Sequence, residues 1–103
     1  MAFVVSIPPD RYFSPGQTCM TVGVAELLQE GRLDPATLVT CLGRHLCGDW
    51  GDLDDHDRRR NDTALKSGKE RLFSVYQVTP SLNLWIITEW DRSVTTLLLP
   101  SEY

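Results

Sequence analysis

The sequence lacks the features that would point to a membrane or to secretion. No apolar run approaches the roughly 20 residues that a membrane-spanning helix needs. The first residues, MAFVVSIPPDRYF, have neither the basic start nor the cleavage site of a secretory leader. We therefore expect a chain that stays in the cytoplasm and makes no contact with a membrane.

Cysteine and positive charge are both scarce. The three cysteines, Cys19, Cys41 and Cys47, cannot all pair within one chain, and no CxxC spacing is present, which disfavours a disulfide framework. Ten Lys and Arg against 14 Asp and Glu give a net charge of −4, and no basic stripe carries interleaved aromatic residues. Direct nucleic-acid binding is therefore not expected. We expect no cofactor.

What is present is the composition of one small folded domain. The chain has 103 residues, of which 42% are hydrophobic and 23% charged. Three stretches repeat apolar residues at helical spacing, and each has a possible cap. The predicted helices are one from Thr21 to Gly31, one from Pro35 to Cys47 with Asp34 as its N-cap, and one from Asp52 as N-cap to Lys66, before Gly68.

The period becomes that of extended chain after Arg71. RLFSVYQV, NLWIITEW and SVTTLLL are rich in β-branched and aromatic residues, and the short connections between them predict hairpins. We therefore predict an α+β fold, in which about three short helices are followed by a three-stranded antiparallel meander in one domain, residues 1–103. Prolines in residues 1–19 predict an irregular N-terminal arm, with room for a short edge strand from Phe3 to Ile7.

The central strand is apolar on both sides. Alternation places Trp85 and Ile87 on one face of the sheet and Leu84 and Ile86 on the other. We expect the helices to cover one face and either the N-terminal arm or a second subunit to cover the other, so a homodimer is one expected assembly.

The densest cluster of polar residues is HLCGDWGDLDDHDRRRN, residues 45–61. The simplest interpretation of this cluster is structural. Asp52 caps a helix whose first turn contains Asp54 and Asp55, where the helix dipole favours anions. A sharper interpretation makes Asp49 and Asp52 oxygen ligands of a divalent metal, although the spacing does not match a calcium loop. A zinc site built from Cys41, His45 and Cys47 lacks a fourth ligand.

Trp50 lies between two Gly-Asp pairs in the same cluster. Its ring is predicted to fold back as a plug between the second helix, the third helix and the sheet, with its N–H seeking one partner. The alternative is an exposed aromatic anchor for a partner protein.

A second polar cluster, TEWDRSVTT, falls at the predicted hairpin after NLWIIT. Asp91 suits the turn, and Arg92 is placed to clamp Glu89 or a phosphate. If His45 approached Glu89 in space, these residues together with Arg92 would be candidates for acid-base catalysis. Ser93 as a nucleophile lacks both an elbow motif and an identifiable base. The candidate binding residues are Asp49, Trp50, Asp52, Asp91 and Arg92.

Three stretches, RHLCGDWGDLDDHDRRRNDTAL, RLFSVY and WIITEWDRSVTTLLLPSEY, occur in this order over about the C-terminal two thirds of the chain. In these stretches the chain resembles a family of small uncharacterised bacterial proteins found on plasmids and integrative elements. The resemblance implies a mobile-element context and no particular mechanism. A restriction-subunit label that some such proteins carry does not suit a chain without a methyltransferase motif.

Two classes of function remain open. The first is a noncatalytic protein-interaction module with an accessory or anti-defence role, acting through its sheet face, acidic turn or exposed aromatic residues. The second is a small hydrolase or metal-dependent enzyme that uses the GDWGD turn and the TEWDRS hairpin. The small size, the acidity and the lack of a convincing catalytic constellation favour the first.

Overall fold

The elements follow one another in the order β1-α1-α2-α3-β2-β3-β4, with a short 3-10 helix at the end. The computed structural model describes Ala2 and residues 7–103. The bounds of the helices and strands are β1 Gln17–Met20, α1 Val22–Gln29, α2 Pro35–Leu46, α3 Asp55–Ser67, β2 Leu72–Thr79, β3 Leu82–Thr88, β4 Val94–Leu98 and the 3-10 helix Pro100–Glu102. Within the described part of the chain, no helix is both long and apolar enough to span a membrane.

The four strands form one sheet in the order β1-β4-β3-β2. Strands β2, β3 and β4 form the predicted antiparallel meander, so the α+β prediction is confirmed. The prediction that residues 1–19 form only an irregular arm is wrong at its end, because β1 precedes the helices and pairs in parallel with β4. The predicted strand at Phe3–Ile7 lies largely outside the described residues; Ile7 itself is not in a strand, and Ala2 forms an isolated bridge with Cys19.

The helix starts follow capping chemistry. Thr21 caps α1, and Asp34 caps α2 with Pro35 in its first turn, both as predicted. The predicted cap of α3 is wrong: the carboxylate of Asp54, not that of Asp52, accepts the backbone N–H of Asp57. The helix therefore begins at Asp55, and Asp52 is left for another contact.

The main core lies between α1, α2 and one face of the sheet, which we call the helix face. Leu84 and Ile86 point into this core, as alternation predicts, and both are almost fully buried. The other face carries Phe73, Trp85 and Ile87, and we call it the pocket face. Helix α3 lies beside β2, where Ala64 and Leu72 join a second, smaller cluster of buried residues with Trp50 and Leu53.

Candidate functional site

The acidic turn begins with an ion pair. The Arg44 guanidinium donates two hydrogen bonds to the Asp49 carboxylate, Nε to Oδ2 at 2.7 Å and Nη2 to Oδ1 at 3.3 Å. The hydrogen bond from Arg44, helped by one from the Gly51 N–H, lowers the pKa of Asp49. The Tyr76 hydroxyl donates to the Asp49 backbone carbonyl at 2.6 Å. Asp49 is thus tied to α2 and to β2.

The next residues bond to the outer edge of β2. The Val75 N–H donates to the Trp50 carbonyl, the Asp52 N–H donates to the Val75 carbonyl at 2.7 Å, and the Asp52 carboxylate accepts the Gln77 N–H at 2.8 Å. Gly51 lies at φ +76°, where a Cβ atom would collide with the Val75 carbonyl oxygen. The GDWGD turn therefore works as an additional partner for an edge strand.

Asn61 in α3 completes the cover of this edge. Its side chain accepts from the Phe73 N–H at 3.1 Å and donates to the Phe73 carbonyl at 2.5 Å. Arg58, one turn earlier, donates to the carbonyls of Leu53 and Gly51. The N–H and C=O groups that β2 would otherwise present to another strand are occupied between Phe73 and Gln77.

Trp50 is the plug that one interpretation predicted. It is only 4% exposed, its ring packs near those of Phe13 and His45, and its indole N–H donates to the Asp62 carboxylate at 2.9 Å. The ring is therefore not on the surface, where an anchor for a partner would lie.

No group of three or more His, Cys, Asp or Glu residues among those described is arranged to hold a metal ion. The two metal candidates are engaged elsewhere, Asp49 with Arg44 and Asp52 with Gln77. The thiols of Cys41 and Cys47 are free, and burial raises the pKa of each.

His45 forms the centre of a buried hydrogen-bonded chain. Its Nδ1 lies 2.5 Å from the Ser74 hydroxyl and its Nε2 lies 2.9 Å from the Thr88 hydroxyl. Thr88 in turn bonds Thr95 at 2.8 Å, and Thr95 donates to the Pro15 carbonyl. The donor and acceptor of each hydrogen bond in this series follow from its last member, because a carbonyl oxygen can only accept a hydrogen bond.

Working back from that carbonyl assigns the His45 tautomer. The only hydroxyl proton of Thr95 goes to Pro15, so Thr88 donates to Thr95. The Thr88 oxygen then accepts from Nε2–H of His45, and Nδ1 accepts from Ser74. Burial, with a smaller contribution from the positive charge of Arg92, lowers the pKa of His45 to about 3, so the imidazole is neutral near pH 7.

The hairpin candidates are also held by backbone contacts. Arg92 adopts φ +60° and donates to the carbonyls of Ala64, Glu70, Glu89 and Trp90. It therefore ties the end of α3 to the loop before β2 and to the β3-β4 hairpin. Asp91 lies in the turn, as predicted, where hydrogen bonds from the Ser93 hydroxyl and N–H lower the pKa of its carboxyl.

The two polar clusters meet directly at the hydrogen bond between His45 and Thr88, and Phe13 of the N-terminal arm packs against residues of both. The Phe13 ring stacks near Trp50 and lies 5.5 Å from the His45 ring, with the Arg92 guanidinium 5.9 Å from its centre. Glu89 has no described bond to His45. The hydrogen bond to Tyr103 is the main cause that raises the pKa of Arg71, and the negative charge of Glu89 adds to it.

A pocket lies on the pocket face, and His45, Glu89 and Arg92 are not among the residues that line it. Its volume is about 540 Å³. The residues that line it come from α3 and the turn before it, from the start of β2, from β3 and from the end of the chain: Leu53, Asp57, Arg60, Asn61, Glu70, Arg71, Phe73, Trp85, Ile87 and Tyr103.

Three aromatic rings form a row across this face. Phe73 and Trp85 meet edge to face with centroids 5.0 Å apart, and Trp85 and Tyr103 are 5.5 Å apart. Tyr103 is 70% exposed, yet its backbone is fixed by the preceding Glu102, whose carboxylate accepts from Thr21, Gly23 and Leu99. We call Phe73, Trp85 and Tyr103 the aromatic row.

Charged side chains of both signs surround the aromatic row. Arg71 donates to the Tyr103 hydroxyl at 2.9 Å and lies 5.9 Å from its ring centre. Asp57 and Arg60, both in α3, also line the pocket. In the acidic stretch, therefore, Asp49, Asp52 and Asp54 serve the fold, whereas Asp57 and Arg60 face the pocket.

Sequence reasoning missed this pocket as a site. The alternation in β3 did predict that Trp85 faces away from the helices, and that pattern was the available indication. Nothing in the local pattern placed Tyr103 beside Trp85, because that contact depends on the bonds of Glu102 to residues near α1.

Comparisons of the chain with protein-family models, with curated proteins and with solved structures gave no significant match.

Proposed function

We propose that this chain is a noncatalytic protein-interaction module that contacts another protein through the pocket face. The observation that carries the proposal is the aromatic row, Phe73, Trp85 and Tyr103, which lies in an open pocket of about 540 Å³. Aromatic side chains offer a large apolar contact area with few rotatable bonds, and they are enriched at the centres of protein interfaces.

The surroundings of the aromatic row suit a protein contact. Asp57, Arg60, Glu70 and Arg71 lie around the apolar floor, in the arrangement of a polar rim about an apolar centre. A rim of this kind adds orientation and specificity, while most of the binding energy comes from the buried centre.

The contacts of the catalytic candidates also support a noncatalytic role. His45 is fully buried and both of its ring nitrogens are hydrogen-bonded. The guanidinium of Arg92 donates its hydrogen bonds to backbone carbonyls. Asp49 and Asp52 are held by Arg44 and by Gln77. A small hydrolase or metal-dependent enzyme would need such groups to converge on one substrate, and none of the described contacts favours that alternative.

The cellular setting is proposed from the sequence. The resemblance to small plasmid and integrative-element proteins favours an accessory or anti-defence role in bacteria. Three free cysteines suit the reducing cytoplasm. The net charge of −4 argues for a protein partner and against direct contact with nucleic acid.

Capture from bacterial lysate with two matched tryptophan variants tests the proposal. Trp85 belongs to the aromatic row, whereas Trp90 is 60% exposed and lies outside the pocket. We expect the wild type and Trp90→Ala to retain the same protein, and Trp85→Ala to lose it while remaining folded by circular dichroism.

Two outcomes would contradict the proposal. One is a captured protein that Trp85→Ala retains as well as the wild type does, which would move the contact elsewhere. The other is turnover of a substrate that His45→Gln or Glu89→Gln abolishes without unfolding, which would favour the enzyme.

A further inference from the structure

The two faces of the sheet are covered very differently by the chain itself. On the helix face, Leu84 and Ile86 are 1% and 0% exposed beneath α1 and α2. On the pocket face, Phe73 and Trp85 remain partly exposed on the floor of the pocket. An apolar sheet face needs a second layer, and the described residues supply only part of one here.

The charges around the pocket are balanced and unpaired. Two are positive, Arg60 and Arg71, and two are negative, Asp57 and Glu70. None of these four side chains takes part in an ion pair with another of the described residues. A surface with equal numbers of both signs can pair every charge with an identical surface turned to face it, which a surface of one sign cannot do.

The shape of this face supplies a projection beside a recess. Tyr103 stands at the rim and is 70% exposed, and the bonds of Glu102 hold it in place next to the pocket. In a twofold contact the same patch of both copies comes together. The projection of each copy can then enter the recess of the other.

From these features we infer that a second copy of this chain occupies the pocket face, in a twofold dimer that buries the aromatic row. Tyr103 of each copy packs against the pocket of the partner, and Arg60 and Arg71 of each copy face Asp57 and Glu70 of the other. This inference rests on the proposed function, because it names the protein that the pocket face contacts.

The test uses two variants that make the rim all of one sign. Asp57→Lys/Glu70→Lys leaves four positive charges, and Arg60→Glu/Arg71→Glu leaves four negative charges. A matched control, Asp55→Lys/Arg59→Glu, changes exposed residues of α3 that do not line the pocket. Each variant is checked for folding by circular dichroism and studied by sedimentation equilibrium over a wide concentration range.

We expect the wild type and the control to reach twice the chain mass of 11.7 kDa, and each one-sign variant to have a dimer Kd at least tenfold weaker. An equimolar mixture of the two one-sign variants should regain the dimer, because unlike rims then face one another. A misfolded variant could not be rescued by mixing, so this measurement separates lost charge pairing from lost structure.

A wild type that stays monomeric at every concentration, or one-sign variants that dimerise as well as the wild type, would overturn the inference. If a monomeric wild type still captured a different protein in a Trp85-dependent way, the proposed function would stand and only the second copy would be wrong as its occupant. If capture also failed, both would fall.

Discussion

The helix face and the pocket face of one sheet handle polar groups in opposite ways. On the helix face, His45 is 0% exposed, yet the hydroxyls of Ser74 and Thr88 satisfy its two ring nitrogens. On the pocket face, Arg60 lies beside partly exposed rings and forms no ion pair with any other residue that the structure describes. One face is therefore completed within the chain, whereas the other has the composition of a surface that another molecule completes.

Among the changes considered, the largest loss of stability is expected when the His45 side chain at the centre of the helix face is removed. We expect His45→Ala to lower the free energy of unfolding by about 4 kcal/mol, because it leaves a cavity and unpaired hydroxyls on Ser74 and Thr88. Urea denaturation measures this loss. His56→Ala, at an exposed position, is the control and should change stability by less than about 0.5 kcal/mol. Similar losses for both variants would mean that the buried chain does not stabilise the fold.

The same histidine predicts how stability depends on pH. The pKa of His45 is about 3 in the folded state and 6.5 as the ordinary value, so below pH 6.5 the unfolded chain binds a proton that the folded chain does not. Its contribution to stability is therefore fully present above pH 6.5 and is lost as the pH falls toward 3. We expect the free energy of unfolding to be about 2 kcal/mol lower at pH 5 than at pH 7.

His45→Gln isolates this effect, since carboxylates also begin to titrate near pH 5. The variant is less stable at pH 7 but should lose less stability between pH 7 and pH 5 than the wild type. Parallel pH profiles of the two proteins would contradict this expectation, because they would mean that His45 takes up its proton equally in the folded and the unfolded state between pH 7 and pH 5.

The outer edge of β2 borders both faces of the sheet. We expect its contacts to contribute an intermediate amount to the free energy of unfolding. Asn61→Ala removes both side-chain hydrogen bonds to the Phe73 backbone, and we expect a loss of about 2 kcal/mol in urea denaturation. Thr63→Ala, at an exposed position of the same helix, serves as the control and should be nearly neutral. Hydrogen exchange at the Phe73 amide should accelerate in Asn61→Ala alone, and unchanged exchange would contradict the role given to this side chain.

The smallest effect is expected on the pocket face. Tyr103→Ala should lower the free energy of unfolding of dilute protein by less than about 1 kcal/mol, because the ring is 70% exposed. Tyr76→Ala, the same change on the helix face, removes a ring that is 1% exposed and should cost several times more. Equal losses in thermal unfolding would mean that the pocket face belongs to the core of the single chain.

Much of the fold was predictable because local chemistry and tertiary structure agree. Helix α2 follows its Asp34 cap and Pro35, and the meander follows the change to a period of two. The start of α3 was not predictable in the same way, because several aspartates in GDLDDHD are equally good caps. The bond of Asp52 to Gln77 decides among them, and that bond exists only in the folded molecule. Strand β1 was missed because its partner β4 lies at the far end of the chain.

The candidate site was less predictable than the fold. Residue type alone suggested that His45 and Arg92 carry chemistry, but burial and backbone carbonyls occupy them. The indole of Trp50 was correctly predicted to fold inward, since two glycines and the need for one N–H partner favoured that position. The pocket depends on how α3, the start of β2 and Tyr103 come together, and no single stretch of sequence contains all three.

The occupied edge of β2 also limits how copies of this protein can assemble. An incoming strand would have to displace Trp50, Asp52 and Asn61 from the backbone of β2 before the sheet could grow on that side. Growth by strand addition, the route to fibrils and open filaments, is therefore opposed at this edge. Association through a single face stops after two molecules, so it forms a closed particle and not a chain of indefinite length.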